Sequence, residues 1–373
     1  MKELAITLIL ISFSFSSLAQ LTTEEIDIDG VERTYLQYLP TGFDPSTEDL
    51  PVVFILHGLG GTAAGMTTGG EMNAIADTAR FIPLYLQGLP NLFGQNAWNN
   101  GTAAGSSAND ILFISSLLDS INAHYSVNLD RVYMMGISMG SIMTYHACNY
   151  LSDRIAAVAC HIGTMSDADA DDFAPLYPVP TMHIHGTADD VVPYDGAALP
   201  TLSLIPKTIE TLKVSHGFTG DSTITNIPDN AADGVTIEKI EYEATTHFEL
   251  WKMTDAGHIF LIPGVNDTSG YVISWHFFNQ FTHPSPSSLG TDIDYHLGIE
   301  LFPNPTADQI FIKSDEVLEN IEIYSVNGTI VQTQATLNIG ESIDVSNLDN
   351  GYYFFKATTK SGITYSTNFA KAD

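Results

Sequence analysis

Five short, almost wholly apolar runs lie in the first half of the chain. They read LPVVFILHG, RFIPLYLQG, RVYMMGIS, IAAVACHIG and VPTMHIHGT. Runs this short and this apolar are typical of strands that are buried on both faces of a sheet. We therefore expect them to form the centre of one sheet.

A stretch with helical periodicity, NDILFISSLLDSINAHY, lies between two of these runs. Asn109 or Asp110 is placed to cap its first turn. Its apolar positions recur on one helical face: Ile111, Ile114, Leu118 and Ile121. Because strands alternate with helical patterns, the sequence predicts an α/β fold with a mainly parallel sheet covered by helices on both faces.

The pattern changes after residue 283. The segment THPSPSSLGTDIDYHLG is rich in Pro, Ser and Gly and has no apolar periodicity. Such a composition predicts a linker, which we place at residues 284–297. The part before it, residues 20–283, is then the larger domain.

Residues 298–373 consist of short β-type runs separated by turn signals. An Asn-Gly pair between β-type runs predicts a hairpin. The turn signals are Asn327–Gly328, Asn350–Gly351 and Ser361–Gly362. The sequence thus predicts a small all-β sandwich here, without a group of side chains suited to catalysis.

The first twenty residues, MKELAITLILISFSFSSLAQ, predict a secretory signal peptide over 1–19, cleaved before Gln20. A membrane anchor is the alternative, but the apolar run over 4–15 is shorter than the ~20 residues that span a bilayer. No cysteine follows the cleavage site, and no later segment is long and apolar enough to cross a membrane. We expect an exported chain without a transmembrane segment.

The composition excludes two classes of partner. Apolar residues make up 44% of the chain, as in a globular protein, and 13 Lys and Arg against 44 Asp and Glu give a net charge of −31. A surface so acidic repels nucleic acid and anionic membranes.

The two cysteines, Cys148 and Cys160, are too few for a disulfide scaffold or a cysteine-based zinc site. A disulfide between them and two buried free thiols remain equally open.

Gly136-Ile137-Ser138-Met139-Gly140 interrupts an apolar stretch between a predicted strand and a predicted helix. This context is typical of a nucleophile elbow, a turn so tight that a Cβ at either glycine would strike neighbouring chain. We expect Ser138 to have a strained backbone and an exposed hydroxyl.

A serine hydroxyl needs a base and an orienting acid, and in this type of site they follow it along the chain as acid, then histidine. The segment HGTADDVVPYDG offers Asp189 first and Asp190 second, where a strand ends. The segment TDAGHIF offers His258 on a loop after another strand. The sequence therefore predicts Ser138, Asp189 and His258 as the catalytic residues.

Four other histidines are weaker candidates for the base. His183 and His185 lie in an apolar strand before the acid, where a core or turn role is the better interpretation. His216 and His247 follow the acid but lack the glycine-flanked loop, so we keep them in reserve.

The glycine-rich turn in FILHGLGGTA follows a buried strand. The amides of Leu59 and Met139 are predicted to form an oxyanion hole for the carbonyl that Ser138 attacks. Phosphate binding is the alternative, but neither G-x-x-x-x-G-K-[ST] nor G-x-G-x-x-G is present.

Two further features are ambiguous or weak. Trp98 either lines the pocket for the acyl or alcohol group or is a core tryptophan. The segment SDADADDF places three aspartates, 167, 169 and 171, at calcium-loop spacing, but it lacks the glycine and the final glutamate of such loops, so we interpret it as a solvated loop.

Over about residues 27–283 the motifs LHGLGG, Trp98-Asn99, NDILFISSLLDSI, RVYMMGISMG, HGTADDVVPY and AGHIF occur in the order found in secreted polyhydroxybutyrate depolymerases and feruloyl esterases. The chain resembles this family of α/β-hydrolases, and the resemblance implies the same three catalytic residues. It departs from the family at Ser141, usually glycine, at Leu59, often cysteine, and at Ile259–Phe260, often Thr-Trp-Pro-like. These departures leave the substrate open.

The segments LFPNPTADQIFI, IEIYSVNGTIV and VSNLDNGYYFFKATT make the C-terminal part similar to the sorting domain of type IX secretion. This resemblance implies export across the outer membrane of a Gram-negative bacterium, with removal of this domain or attachment to the cell surface. A carbohydrate-binding sandwich is the competing interpretation.

The sequence thus predicts a secreted serine hydrolase that acts on carboxylic esters through an acyl-enzyme, without metal or organic cofactor. The substrate would be a small ester or a polymeric one, such as a polyester or a plant polysaccharide ester. A peptidase or lipase with the same catalytic residues, or a non-catalytic surface binding protein, is the alternative.

Overall fold

A computed structural model describes residues 20–196, 200–284, 300–304, 306–313, 317–325, 330–359 and 364–372. The chain divides into two compact units, 1–290 and 291–373. The predicted signal peptide and all but the first residue of the predicted linker lie outside the described residues.

The larger unit contains twelve strands among its described residues: β1 (Gln20–Ile28), β2 (Val31–Leu39), β3 (Val52–Leu56), β4 (Ile82–Leu86), β5 (Leu89–Pro90), β6 (Asn96–Ala97), β7 (Val132–Ile137), β8 (Ala157–His161), β9 (Thr181–Gly186), β10 (Phe218–Asn226), β11 (Thr236–Ala244) and β12 (Phe248–Thr254). Its helices are α1 (Ala63–Met66), α2 (Glu71–Ala79), α3 (Asp110–Tyr125), α4 (Met139–Leu151), α5 (Asp167–Asp171), α6 (Ile205–His216) and α7 (Gly270–Phe278).

Ten of these strands form one sheet in the order β1-β2-β4-β3-β7-β8-β9-β12-β11-β10. The five apolar runs are β3, β4, β7, β8 and β9, and together with β12 they form its parallel centre. The mainly parallel sheet is therefore confirmed. Antiparallel pairs complete each edge, β1 with β2 and β10 with β11. At the β10 edge the last strand is exposed along almost its whole length.

The parallel centre is buried on both faces. Tyr133 and Met135 of β7 pack in one cluster with Trp275 and Phe278 of α7. Met134 points to the other face, because side chains alternate along a strand, and it is also fully buried. A sheet covered in this way leaves only the ends of its strands open to substrate.

The start of α3 distinguishes the two predicted caps. The side chain of Asn109 accepts a hydrogen bond from the Leu112 amide, so Asn109 is the N-cap. Asp110 instead forms a buried ion pair with Arg33 of β2, with 2.6 Å between Oδ1 and Nη2. This pair ties the helix to the antiparallel edge of the sheet.

The smaller unit contains β13 (Glu300–Phe302), β14 (Gln309–Lys313), β15 (Leu318–Ser325), β16 (Ile330–Leu337), β17 (Ser342–Asp344), β18 (Gly351–Thr359) and β19 (Thr364–Lys371). They form two antiparallel sheets, β13-β14-β17 and β16-β15-β18-β19. Ile310 and Ile343 of the first sheet share one core with Ile323 and Phe355 of the second. The small all-β fold is confirmed.

One predicted hairpin is wrong. Asn350–Gly351 connects β17 to β18, but these strands belong to different sheets and do not pair. The chain therefore crosses between the sheets here, because the apolar side chains of both strands are needed in the shared core. The turns at Asn327–Gly328 and Ser361–Gly362 lie outside the described residues.

Candidate active site

Ser138 occupies a sharp turn between β7 and α4, with φ 56° and ψ −118°. A Cβ at Gly136 would lie 2.1 Å from the backbone of Gly140, and a Cβ at Gly140 would lie 2.3 Å from the Leu56 carbonyl oxygen. Both distances are impossible for a real side chain, so the turn requires glycine at both positions. The left-handed backbone of Ser138 is the strained conformation that the motif predicts.

Neighbouring backbone holds this strained turn in place. The Ser138 amide donates to the His161 carbonyl at the end of β8, at 2.8 Å, and the Ser138 carbonyl accepts from Ser141 and Ile142. A Cβ at Gly163 would lie 2.5 Å from the Ser138 carbonyl oxygen. Sequence reasoning did not single out Gly163, because its role depends on how closely the loop after β8 approaches the turn.

The structure brings the three predicted catalytic side chains together. Nε2 of His258 lies 3.0 Å from Oγ of Ser138, and Nδ1 of His258 lies 2.7 Å from Oδ2 of Asp189. Ser138 and His258 are partly exposed, whereas Asp189 is buried. The arrangement allows a proton to pass from the serine hydroxyl to an imidazole that a carboxylate orients.

The acid and the base lie on the loops that follow two adjacent parallel strands, β9 and β12. Gly186 at the end of β9 pairs with Met253 of β12, so the loops that follow both strands emerge side by side. A Cβ at Gly186 would lie 2.3 Å from the Ala256 carbonyl oxygen. Because these loops are so close, Asp189 and His258 come within hydrogen-bond distance although both lie on irregular chain.

Both oxygens of the Asp189 carboxylate accept hydrogen bonds. Oδ1 accepts from the amides of Val191 and Val192 at 2.9 and 2.8 Å. Burial acts to raise the pKa of Asp189, but the hydrogen bonds from His185, from His258 and from the two amides outweigh it and hold that pKa well below its usual range. The carboxylate therefore stays charged at neutral pH. Asp190 is exposed instead.

The loop after β3 passes beside the serine. A Cβ at Gly58 would lie 3.2 Å from Cβ of Ser138. Asn96 of β6 holds this loop, since its carbonyl accepts from the Gly60 amide and its side chain donates to the Gly61 carbonyl. Among the described residues no acceptor binds the amides of Leu59 and Met139, the two predicted oxyanion donors.

His57 also holds the loop after β3. Its Nε2 accepts from the Gly88 amide at 3.0 Å, so the hydrogen is on Nδ1, which donates to the Gly58 carbonyl at 2.7 Å. Burial lowers the pKa of His57, against the effect of the hydrogen bond to Gly58. The neutral ring therefore serves as a support for the loop.

Trp98 is fully buried, and its indole N–H donates to the His57 carbonyl at 2.8 Å. Its ring also packs on the ring of His57, with 4.9 Å between centroids. This placement favours the second interpretation of Trp98, a core tryptophan, because no part of its side chain reaches the surface where a substrate would bind.

The four other histidines have partners other than the serine hydroxyl. His183 bonds to the Tyr145 hydroxyl, and His216 to the Val179 carbonyl. His247 lies beside Glu249. His185 differs from these three, because its Nε2 lies 3.3 Å from Oδ2 of Asp189. Sequence reasoning assigned His185 to the core and missed this contact, although its spacing of four residues from Asp189 was visible.

Other candidate features have ordinary surroundings. Asp167–Asp171 forms the short helix α5 and not a loop, and Lys207 pairs with both of its end aspartates. Cys148 and Cys160 are buried free thiols. No helix in the described part of the chain is long and apolar enough to span a membrane.

Two groups of side chains among the described residues have the spacing to hold a metal ion. They are Glu241, His247 and Glu249, and Asp229, Asp233 and Asp267. Lys239 already pairs with Glu241 and Glu249 of the first group. Neither group includes Ser138, Asp189 or His258, so neither belongs to the site around the serine.

Two family models match separate stretches of this chain. Residues 33–198 match the family model described as esterase PHB depolymerase, and residues 300–370 match the model described as secretion system C-terminal sorting domain. Both resemblances derived from the motifs are confirmed.

Part of the chain is similar to two esterases. It is 30% identical over 167 residues to the bifunctional acetylxylan esterase/xylanase XynS20E of Neocallimastix patriciarum, covering 44% of this chain and 22% of that protein. It is 29% identical over 166 residues to feruloyl esterase B of Piromyces equi, covering 44% of this chain and 30% of that protein. The matched region thus spans less than a third of each relative.

A solved structure is similar in fold. The acetyl xylan esterase from Aspergillus awamori superposes with a TM-score of 0.50 at 13% identity, covering 69% of this chain and 99% of that one. The larger unit has the α/β-hydrolase fold.

Proposed function

We propose that this chain, which matches the esterase PHB depolymerase family over residues 33–198, hydrolyses carboxylic esters through a covalent intermediate on Ser138. The observation that carries the proposal is the continuous hydrogen-bonded line from Ser138 through His258 to Asp189. A buried carboxylate, an imidazole and a serine hydroxyl in this order are the groups that acyl transfer needs.

The first half of the reaction forms the acyl-enzyme. Oγ of Ser138 attacks the ester carbonyl carbon while its proton passes to Nε2 of His258. The charge of Asp189 stabilises the resulting imidazolium. The amides of Leu59 and Met139 donate to the oxyanion, and the leaving alkoxide takes the proton from Nε2 as the carbon–oxygen bond breaks.

The second half regenerates the serine. Water attacks the acyl carbon and gives a proton to Nε2 of His258, and the same proton returns to Oγ when the bond to Ser138 breaks. The free acid leaves. Besides the ester and water, the two steps use only these side chains and backbone amides.

The substrate class is proposed from the family and its relatives. An acetyl ester of xylan, a feruloyl ester or a polyester are the three candidates, since the matched family and relatives bear these names. We further propose that the C-terminal unit directs the chain to the type IX secretion machinery of a Gram-negative bacterium, so that it acts outside the cell.

The decisive experiment combines turnover with labelling. The purified full chain is given p-nitrophenyl acetate, and a fluorophosphonate is used to tag the activated serine, whose position is read by peptide mass spectrometry. The proposal expects turnover and a single tag at Ser138, both lost in Ser138→Ala. A folded chain with neither turnover nor tag would be a binding protein instead.

Substrate choice is settled by parallel assays. Methyl ferulate, acetylated xylan and poly(3-hydroxybutyrate) are offered at equal ester concentration, with a peptide amide and a long-chain triglyceride beside them. The highest kcat/KM identifies the ester class. A preference for the peptide or the triglyceride would replace the proposal with a peptidase or a lipase.

A further inference from the structure

A second histidine touches the carboxylate that orients His258. His185 is on β9, four residues before Asp189, and is fully buried. Its Nε2 lies 3.3 Å from Oδ2 of Asp189, the same oxygen that accepts from Nδ1 of His258. The same Nε2 also lies 2.8 Å from the Val192 carbonyl oxygen.

The two partners of Nε2 define where the hydrogen is. A carbonyl oxygen and a carboxylate are both acceptors, so Nε2 of His185 carries the hydrogen. It donates to the Val192 carbonyl at 2.8 Å, and Oδ2 of Asp189 is a second, longer contact of the same nitrogen at 3.3 Å. Nδ1 is buried and has no hydrogen-bond partner among the described residues. His185 therefore contributes one donor, directed at the loop that carries Asp189.

Neighbouring rings hold His185 in this orientation. The ring of His183 is stacked on it, with 5.5 Å between centroids and 2° between planes, and the ring of Tyr194 meets it edge-on at 6.0 Å. A donor on a rigid strand is thus fixed against an acid on a loop. The loop needs such support, because residues after a strand end are otherwise held only by local bonds.

The two oxygens of the Asp189 carboxylate have different partners. Oδ1 is held by the amides of Val191 and Val192, and Oδ2 faces the two histidines. Without the donor of His185, Oδ2 would be held only by His258, the group that it must orient. The hydrogen bond from His185 is also one of the influences that keep the pKa of Asp189 low.

We infer that His185 is a positioning residue, whose Nε2–H fixes Oδ2 of Asp189 so that this oxygen orients Nδ1 of His258. The inference rests on the proposed ester hydrolysis and adds a fourth side chain to it. A purely structural histidine, present only to fill the core, is the alternative.

The test compares two amides at position 185 in the full chain. His185→Gln can place an amide N–H where Nε2 stands, whereas the shorter side chain of His185→Asn places it near the position of Nδ1, out of reach of Asp189. His216→Asn is the control, because His216 is also buried but lies on α6 and bonds to the Val179 carbonyl instead.

We expect His185→Asn to lower kcat about 10- to 100-fold with little change in KM, because the acid is no longer held in place. The acid limb of its kcat/KM profile should move to higher pH, since Asp189 then shares its charge with one donor fewer and stabilises the His258 imidazolium more. His185→Gln should recover most of the activity, and His216→Asn should keep the original acid limb.

Three results would overturn the inference. One is a folded His185→Asn variant with the original kcat and acid limb. Another is a loss in His185→Asn that His185→Gln does not relieve and that His216→Asn reproduces. The third does not depend on any variant. It is a nitrogen-15 NMR spectrum of the unaltered chain that places the hydrogen of His185 on Nδ1.

Failure of the proposed function is a separate outcome. If the unaltered chain hydrolyses no ester, the catalytic proposal fails first, and the NMR result still reports which nitrogen of His185 carries the hydrogen. If the unaltered chain is active and the His185 variants behave like His216→Asn, only the positioning role is lost.

Discussion

Nε2 of His258 lies 3.0 Å from Oγ of Ser138, although 120 residues separate the two in sequence. The contact is possible because β7 and β12 end at the same edge of the sheet, as parallel strands do. The base therefore comes from a loop and the nucleophile from a strained turn.

Replacing the nucleophile tests the role of the serine. Ser138→Ala should reduce ester turnover by about 10⁴-fold or more, because only binding and the oxyanion donors remain. Its thermal midpoint should stay close to that of the unaltered chain, since one oxygen is removed from a partly exposed site. Turnover within tenfold of the original in a folded variant would assign the nucleophile to another residue.

The two adjacent aspartates should differ sharply. Asp189→Asn should lower turnover by up to about 10⁴-fold, because a neutral amide favours the wrong tautomer of His258. Asp190→Asn should cost little, since Asp190 is exposed. Steady-state rates are compared on folded protein at one pH near 8. Equal losses from both changes would contradict the assignment of Asp189.

The elbow glycines should be essential for folding. Gly140→Ala places a Cβ 2.3 Å from the Leu56 carbonyl oxygen, which should cost more than about 3 kcal/mol of unfolding free energy. Gly257→Ala is the control, because its nearest neighbour would be 3.9 Å away. Urea unfolding measures both variants, and comparable stability in the two would show that the turn can relax.

Buried histidines should make the chain sensitive to mild acid. Burial lowers the pKa of His161 to about 3 and of His216 to about 4. The folded chain then holds these rings neutral at a pH where the unfolded chain protonates them, so stability should fall as pH drops below about 6.5. For His216 the loss should continue until about pH 4, the value at which the folded ring also takes up its proton.

A variant isolates this effect from the titration of carboxylates. His216→Gln removes one buried ring, so the fall in unfolding free energy between pH 7.5 and 5.5 should be smaller by about 1 kcal/mol. The exposed His276→Gln serves as the control. Parallel stability curves for the His216 variant and the unaltered chain would show that the buried ring does not contribute.

The larger unit should work alone. A shortened chain of residues 20–284 should retain its specific activity toward soluble esters, because the smaller unit supplies none of the proposed catalytic groups. It must include His283, which is buried and bonds to the carbonyls of Asp130 and Ser152. A folded but inactive shortened chain would show that the smaller unit contributes to the reaction.

The sequence by itself determined the parts of this protein that depend on local pattern. The strands β3, β4, β7, β8 and β9 were visible because buried parallel strands are continuous apolar runs. The elbow was visible because only glycine fits on either side of Ser138. The side chains of Asp189 and His258 could be proposed because they follow strand ends in the order that this chemistry needs.

Only the tertiary structure decided the relationships that depend on close approach. The contact of His185 with Asp189, the support of the elbow by Gly163 and the burial of Trp98 arise where loops from different strands meet. The crossing at Asn350–Gly351 has the same origin, because a turn signal fixes the local bend but not the strand that receives the chain. Hydrophobic pattern encodes which face of an element is buried, whereas its partner is chosen by the packing of the whole sheet.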